Sequence, residues 1–283
     1  MRKIRSVLAA MVPILLTLSV AGPARGGVER PRDTTVTIAA AGDIALSGHP
    51  GNNQKQTAAL ITNRIHPAEV LVLGDAQYEK GELAQFLNSY DPTWGAFKDI
   101  SAPVPGNHEY ETKDASGYFT YFQAQLAGRG AAASDPKRGY YSFDVGDWHL
   151  VALNSNCKYA SCSAQVTWLA SDLAADGHLC ELVFYHHPNE DLFSKAAAQA
   201  GVDLILAGHR HRYERWDNFQ GLNIRELVVG TGGRSSGTPA SNADAGFKGY
   251  GVASIDLSSS GYSWQFIDVN GNVRDSGSDA CAA

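Results

Sequence analysis

The chain has 283 residues, of which 44% are hydrophobic, and its formal net charge at pH 7 is −6. That length is ample for a large buried core and favours one large domain over two. An acidic chain lacks the basic patches on which non-specific nucleic-acid binding depends, so no nucleic acid is expected as a stable partner.

The first 24 residues have the pattern of a secretory signal peptide. Three basic residues lie among the first five, an apolar stretch covers residues 7–20, and small residues follow up to Ala24. The apolar stretch is short for a membrane span and contains Pro13, so we expect cleavage near Ala24, with a retained amino-terminal anchor as the alternative. Cleavage would remove three basic residues and change the net charge to −9. The mature chain is then expected in an extracellular or periplasmic location, outside any membrane.

The rest of the chain is expected to form a single domain over residues 35–283, behind a disordered lead-in at residues 25–34. Helices are predicted at residues 54–65, 82–88, 115–126, 163–175 (capped by Ser163) and 191–200. Strands are predicted at residues 35–41, 70–73, 102–105, 140–145, 148–153, 182–185, 202–207, 224–229, 251–257 and 262–269.

Strands alternate with helices up to residue 211, as in α/β proteins, and only strands follow. We therefore predict an α/β fold in which two mixed β-sheets pack face to face with helices outside. This arrangement is a four-layer α/β/β/α sandwich.

Five predicted strands run into short polar segments. In α/β sheets, binding groups gather beyond the carboxyl ends of the strands, so these segments are expected at one edge. Together they offer seven oxygen or nitrogen donors, which is too many for one tetrahedral metal and suits two metals that share a ligand. The five segments are Gly42-Asp43, Gly74-Asp75, Gly106-Asn107-His108-Glu109, His186-His187-Pro188 and Gly208-His209-Arg210-His211.

Each segment alone has a simpler explanation. An Asp after Gly is commonly a turn residue or a helix cap, and a lone Gly-Asn-His is more often a turn than a site. The spacing of His209 and His211, however, puts both side chains on one side of an extended segment. The joint occurrence of all five segments at strand ends favours a shared site.

Over residues 36–233, the ordered segments resemble the calcineurin-like metallophosphoesterase superfamily, and within it the purple acid phosphatase branch. The patterns GDxxY, GNHE, VxxH and GHxH are matched in full at residues 74–78, 106–109, 183–186 and 208–211. Ala45 stands where that branch usually has a glycine and where other members have a ligand histidine. Because Ala45 cannot bind a metal, Tyr78 is expected to supply the ligand. The resemblance implies the metallophosphoesterase fold.

The resemblance also implies two metal ions per chain, bridged by Asp75. The first ion would be completed by Asp43, Tyr78 and His211. The second would be completed by Asn107, His186 and His209. The carboxylate and phenolate oxygens of the first set suit Fe³⁺, and the amide and imidazole donors of the second suit Fe²⁺, Zn²⁺ or Mn²⁺.

Two adjacent cations neutralise phosphate oxygens and lower the pKa of a bound water, so a metal-bound hydroxide can attack phosphorus near neutral pH. The resemblance implies that His108 protonates the leaving alkoxide, and Glu109 would orient His108 through a hydrogen bond. Further contacts to a small phosphorylated substrate are predicted for His187, Glu109 and Arg210, with ordinary packing or surface positions as the alternative. The glycine-rich residues 230–233 resemble a family loop near the metals.

The four cysteines follow a predicted signal peptide and are even in number, which favours disulfides. Cys157 and Cys162 are near neighbours and are expected to pair. Cys180 would then pair with Cys281.

These features predict a secreted phosphomonoesterase of the purple acid phosphatase type. A phosphodiesterase acting on cyclic nucleotides or other diesters on the same scaffold is the first alternative. A metal-binding protein without catalytic activity is the second. The natural substrate, the metal pair and the oligomeric state stay open.

Overall fold

The structure is a computed structural model that describes residues 35–48, 53–129, 138–188, 191–234 and 236–282. The predicted signal peptide (1–24) and lead-in (25–34) lie outside these residues. Within the described ranges, every helix is too short or too polar to cross a membrane.

The helices and strands follow the predicted order. The α-helices are α1 (Gln54–Leu60), α2 (Leu83–Gln85), α3 (Ser116–Tyr121), α4 (Gln123–Gly128), α5 (Cys162–Ala175) and α6 (Asp191–Ala200). The strands are β1 (Val36–Ala41), β2 (Ala45–Leu46), β3 (Glu69–Leu73), β4 (Gln77–Tyr78), β5 (Ser101–Val104), β6 (Tyr141–Val145), β7 (Trp148–Ala152), β8 (Cys180–Tyr185), β9 (Leu204–Ala207), β10 (Tyr213–Trp216), β11 (Arg225–Val229), β12 (Ala245–Phe247), β13 (Gly251–Ser258), β14 (Gly261–Asp268) and β15 (Val273–Ala280). Short 3₁₀ and π turns continue or connect several of them.

The strands of the described residues form two large mixed sheets. The first has the order β15-β14-β13-β1-β3-β5, in which β1, β3 and β5 are parallel and β13 runs antiparallel to β1. The second has the order β12-β10-β11-β9-β8-β7-β6, with β7, β8, β9 and β11 parallel. The short strands β2 and β4 pair separately, in parallel. The prediction of two mixed sheets is confirmed.

The sandwich arises from the two-residue alternation of strand side chains. On β8, Leu182 and Phe184 join the core shared with the first sheet, whereas Val183 and Tyr185 join the cluster formed with helices α5 and α6. Helix α1 contacts β13, and the π turn that continues it contacts β1. The sheets therefore meet in the middle with helices outside, as predicted.

Several local features differ from prediction. Helix α5 is capped by Ser161, whose hydroxyl accepts a hydrogen bond from the Ala164 backbone N–H, and not by Ser163. Ser161 has the extended backbone that a cap requires, whereas Ser163 already lies within the first turn. The strands β2, β4, β10, β12 and β15 were not predicted. The first four span only two to four residues each, and the polar, mostly exposed residues of β15 give no hydrophobic signal.

Both predicted disulfides are present. Cys157 pairs with Cys162, and Cys180, at the start of β8, pairs with Cys281, directly after β15. The second bridge therefore fastens the last strand of the first sheet to the second sheet.

Candidate metal centre

The predicted donors gather where strands of both sheets end. Asp43, Asp75 and Asn107 follow β1, β3 and β5 of the first sheet, and His186 and His209 follow β8 and β9 of the second. The segments after β1 and β3 run side by side, because the backbone N–H groups of residues 43–45 donate to the carbonyls of residues 74–76. The two aspartates are thereby brought together.

The first set of donors surrounds the hydroxyl of Tyr78. This oxygen donates a hydrogen bond to Asp43 Oδ1 at 2.6 Å and lies 2.9 Å from Asp75 Oδ2 and 3.0 Å from His211 Nε2. Pairing of Ala45 with Gln77 and of Leu46 with Tyr78 fixes this tyrosine beside the Asp43 segment. The small Ala45 side chain, which the sequence marked as a departure, is buried in this pairing.

The second set surrounds His186 Nε2. This nitrogen lies 3.2 Å from Asn107 Oδ1, 3.2 Å from His209 Nδ1 and 3.3 Å from Asp75 Oδ2. The other nitrogen of the same imidazole, His186 Nδ1, lies 2.8 Å from the carbonyl oxygen of Leu73. A donor hydrogen on Nδ1 would satisfy that carbonyl and leave Nε2 as a lone-pair donor, which is the orientation common to metal-binding histidines.

One oxygen, Asp75 Oδ2, belongs to both sets. It lies 2.9 Å from the Tyr78 hydroxyl and 3.3 Å from His186 Nε2. Metal–ligand bonds of about 2.0–2.2 Å place neighbouring donors about 2.8–3.1 Å apart in octahedral and about 3.3–3.6 Å apart in tetrahedral coordination, so the spacing within both sets is close to that of bound metal ions. The mixture of carboxylate, phenol, amide and imidazole donors also suits two transition-metal ions with a shared oxygen.

The backbone at these positions is unusual for residues with side chains. Four of the donor residues have a positive φ: Asp43 (59°), Asp75 (47°), His209 (69°) and His211 (26°). Such conformations cost of order 1–3 kcal/mol each and tend to cluster at functional sites. The glycine at 106 is also required, because a Cβ there would overlap the Asp75 carboxylate.

The buried acidic groups of the centre favour the binding of cations. Burial, and then the carboxylates of Asp43 and Asp75, raise the pKa of Tyr78 well above its usual value, so a phenolate here needs a nearby cation. Burial opposes ionisation of Asp75, but His186 and His108 hold its pKa below the usual range. Burial likewise opposes protonation of His186, yet the adjacent Asp75 and Asp43 raise its pKa to about 9.

His108 lies beside the donors at the solvent-accessible side of the centre, which is called its mouth below. Its side chain is 26% exposed, and its ring lies 4.3 Å from the ring of Tyr78. Nδ1 is 2.6 Å from the carbonyl oxygen of Glu79, and the backbone N–H donates to Asp75 Oδ1 at 2.9 Å. The Glu79 contact fixes the ring and leaves Nε2 as the nitrogen available to a ligand.

Glu109 was predicted to orient His108 or contact substrate, and the structure places it elsewhere. Its carboxylate is fully buried and accepts hydrogen bonds from the backbone N–H groups of Asp75, Gln77 and Gly106 at 2.7–3.2 Å. Burial, and then the Asp75 charge, raise the pKa of Glu109 to about 8. Its position ties together the segments that follow β3 and β5.

Of the other two predicted substrate contacts, His187 lies beside the donors and Arg210 does not point to them. The ring of His187 is 4.6 Å from that of His209, and its Nδ1 lies 2.8 Å from Ser155 Oγ. Burial, and then the neighbouring His186 and His209, lower the pKa of His187 to about 3. Arg210 is directed to the buried carboxylate of Glu214, at 3.2 Å.

The loop at residues 230–233 lies against Asp43, as its resemblance implied. A Cβ at Gly230 would lie 2.7 Å from Asp43 Oδ2, so only glycine allows this approach. The next residue after the loop, Arg234, donates its backbone N–H to the carbonyl of Asp43 at 2.8 Å and places its guanidinium 4.6 Å above the Tyr78 ring.

Sequence reasoning did not find the residues that hold the histidines. Ser236 Oγ lies 3.2 Å from His211 Nδ1, and Ser155 Oγ contacts both Nδ1 and the backbone N–H of His187. Serines in loops carry no pattern that would single them out, and both approach the site only through the tertiary fold.

Comparisons with known proteins find purple acid phosphatases among the similar sequences. The chain is 25% identical over 247 residues to purple acid phosphatase 23 of Arabidopsis thaliana, covering 69% of this chain and 52% of that protein. It is 33% identical over 189 residues to purple acid phosphatase 13 of the same plant, covering 55% and 33%. The chain therefore spans about half the length, or less, of the curated relatives it matches.

Solved structures show the same fold. Purple acid phosphatase PPD1 from yellow lupin (Lupinus luteus) seeds superposes with a TM-score of 0.64 at 16% identity, covering 88% of this chain and 54% of that one. GAP50, the anchor in the inner membrane complex of Plasmodium, superposes with a TM-score of 0.61 at 16% identity, covering 88% and 90%. The model of the calcineurin-like phosphoesterase family matches residues 36–213. The chain thus belongs to the calcineurin-like phosphoesterase family.

Proposed function

We propose that this protein hydrolyses phosphate monoesters at a dinuclear metal centre. The observation that carries the proposal is the single oxygen of Asp75 shared by two sets of donors, 2.9 Å from the Tyr78 hydroxyl and 3.3 Å from His186 Nε2. The similarity to purple acid phosphatases supports the same chemistry.

In this proposal, the first ion is held by Asp43, Asp75, Tyr78 and His211. The second is held by Asp75, Asn107, His186 and His209. The oxygen-rich first set suits Fe³⁺, and the second suits Fe²⁺, Zn²⁺ or Mn²⁺. When bound, the two ions would neutralise the phosphate oxygens and lower the pKa of a water for attack on phosphorus.

The protein's own groups then handle orientation and proton transfer. His108 would protonate the leaving alkoxide through Nε2, because its ring is already fixed through Nδ1. Glu109 would act indirectly, because its carboxylate accepts hydrogen bonds from the backbone N–H groups of Asp75 and Gly106 and so holds these segments in place. His187 lies against His209 at the same edge and would contact the phosphate group as a neutral imidazole.

We place the mature protein outside the cytoplasm. Two disulfides use all four cysteines, which is typical of oxidising compartments. The amino-terminal pattern of the sequence supports export, and a small phosphorylated molecule is the partner that the centre fits.

The decisive assay compares p-nitrophenyl phosphate with bis(p-nitrophenyl) phosphate, using purified protein loaded with iron and either zinc or manganese. We expect faster monoester hydrolysis that a chelator abolishes and added metal restores. The Asp75→Asn variant serves as the inactive control.

Each other outcome corrects a specific part of the proposal. Faster diester hydrolysis would make the protein a phosphodiesterase on the same centre. Hydrolysis of neither substrate, with two metals bound per chain, would favour a non-catalytic metal-binding protein.

A further inference from the structure

A second cluster of metal-ligating side chains lies far from the candidate centre. It gathers Asp144 on β6, His149 on β7, Asp176 at the end of α5, and His178 just before β8. The candidate centre adjoins the carboxyl end of β8 through His186, whereas this cluster adjoins its amino end. The two groups are therefore separated by the length of a strand.

The ligand atoms of this cluster converge on one point. Each of Asp144, His149, Asp176 and His178 offers a ligand atom that lies within 4.8 Å of those of the other three. The closest pairs are 2.7 Å (Asp144–His149), 2.8 Å (Asp176–His178) and 3.6 Å (His149–Asp176). Tetrahedral Zn²⁺ with bonds of about 2.0–2.2 Å needs neighbouring donors about 3.3–3.6 Å apart, so small side-chain adjustments would create the site.

The fold holds the histidines in place from behind. Asp172 Oδ2 lies 2.9 Å from His149 Nε2, on the side of the ring away from the convergence point. This is the carboxylate–histidine arrangement that orients the other nitrogen toward a metal. Asp176 is fixed similarly, since its Oδ2 accepts a hydrogen bond from the His178 backbone N–H at 2.9 Å. Strand register also places Asp144 directly opposite His149.

The charges of the cluster favour a cation. Three aspartates, including Asp172, face two imidazoles, so the group is anionic when both histidines are neutral. Two imidazole nitrogens and two carboxylate oxygens form a donor set that suits Zn²⁺ better than Mg²⁺ or Ca²⁺. The site is also reachable, because the side chains of Asp144 and His178 are 58% and 28% exposed.

We infer that Asp144, His149, Asp176 and His178 form a second, structural metal site that binds a Zn²⁺-like divalent ion. The ion would join the β6–β7 hairpin to the end of α5 and the start of β8. This inference does not depend on the proposed phosphatase activity.

A proton is the competing occupant. A protonated His149 could donate to Asp144 and Asp172 at once, and both carboxylates raise its pKa although burial acts in the opposite direction. The proton would account for the His149 contacts but would give no binding of Zn²⁺. The test must therefore measure how many Zn²⁺ ions are bound per chain.

The test compares Zn²⁺ content after equilibrium dialysis of the full protein against Zn²⁺, with metal analysis per chain. The variants are His178→Asn and Asp144→Asn, which change the two most accessible side chains of the cluster and keep hydrogen-bonding groups. The control is His66→Asn, because His66 is exposed, lies outside both sites, and has a positive φ of 51° that asparagine tolerates.

We expect the wild type and His66→Asn to hold one more Zn²⁺ per chain than His178→Asn or Asp144→Asn. Added Zn²⁺ should also raise the melting temperature of the wild type more than that of the two variants. Because the readout is a difference of one ion, it is independent of how many ions the candidate catalytic centre holds, and the variants should keep wild-type phosphatase activity.

Equal Zn²⁺ content in the wild type and both variants would overturn the inference and leave His149 as a protonated partner of its aspartates. A folding defect would be recognised by a loss of melting temperature in the absence of Zn²⁺. In that case the more exposed Asp144→Asn variant decides the question.

Discussion

His108 shows how much one side chain's surroundings decide its role. The residues beside it in the sequence point in different directions: Asn107 Oδ1 faces His186, Glu109 accepts backbone hydrogen bonds, and His108 itself remains at the mouth. Its Nδ1 is held by the Glu79 carbonyl, so the ring is presented in one orientation. A histidine placed in this way can donate a proton without holding a metal.

The His108→Ala variant should therefore keep its metals and lose turnover. General acid catalysis typically contributes about 10²–10⁴-fold, and we expect the loss to be largest for alkyl phosphates, whose leaving groups need a proton most. p-Nitrophenyl phosphate should be affected least. Steady-state rates across a series of leaving groups, with metal content measured in parallel, check this prediction. A variant that loses metal would instead make His108 a ligand.

At the scale of secondary structure, hydrophobic patterns predicted the elements that bury apolar side chains. Residues 182–185 and 204–207 are apolar runs, and they lie in β8 and β9 in the middle of the second sheet. Strand β15 has the residues VRDSGSDA, and it is held by backbone pairing with β14 and by the following Cys281. Such an edge strand depends on its neighbour, so no local pattern could reveal it.

The same distinction applies to the candidate centre. The strand ends indicated which segments would meet, because a strand's end is a local feature of the sequence, and the family resemblance then named the donors. The hydrogen bonds of Glu109, and the contacts of Ser155 and Ser236 with histidines, depend on how distant loops approach each other. These contacts could not be predicted from the sequence, and neither could the grouping of His149 with His178.

The disulfide that fastens β15 should contribute more stability than the shorter one. The Cys180–Cys281 bridge closes a separation of 101 residues and Cys157–Cys162 one of 5. Loop-closure entropy predicts stabilisation of about 5 and about 2 kcal/mol respectively, before any strain is counted.

Urea unfolding of the Cys180→Ala/Cys281→Ala and Cys157→Ala/Cys162→Ala double variants measures the two contributions. We expect a larger loss of unfolding free energy in the first. The reverse order would mean that the short bridge fixes native structure rather than only restricting the unfolded chain.

For the molecule as a whole, the candidate centre lies between the two sheets. Asp43, Asp75 and Asn107 come from the first sheet, and His186 and His209 come from the second. Metal ions bound to all of them would link the sheets at this edge, while the Cys180–Cys281 bridge links them elsewhere. Metal binding should therefore stabilise the fold as well as support catalysis.

Chelation should lower the melting temperature of the loaded protein. A ligand present at a hundred times its Kd stabilises the folded state by about 2.7 kcal/mol per site, and removing it reverses that gain. The experiment is best done on the His178→Asn background, which separates the centre from the proposed structural site. Adding Asp75→Asn should abolish the effect of chelation, and a persisting effect would show that the stabilising ions bind elsewhere.

The long separation of the donors along the chain has a consequence for biosynthesis. Asp43 and His209 are 166 positions apart, yet the Asp43 carboxylate accepts a hydrogen bond from the His209 backbone N–H at 2.7 Å. A growing chain therefore exposes the first aspartate long before the last histidines exist, and no short segment carries a complete set of donors. We therefore expect the centre to bind its metal ions only after the chain has folded. The identity of those ions should then depend on the compartment in which folding ends, and not on the one in which translation begins.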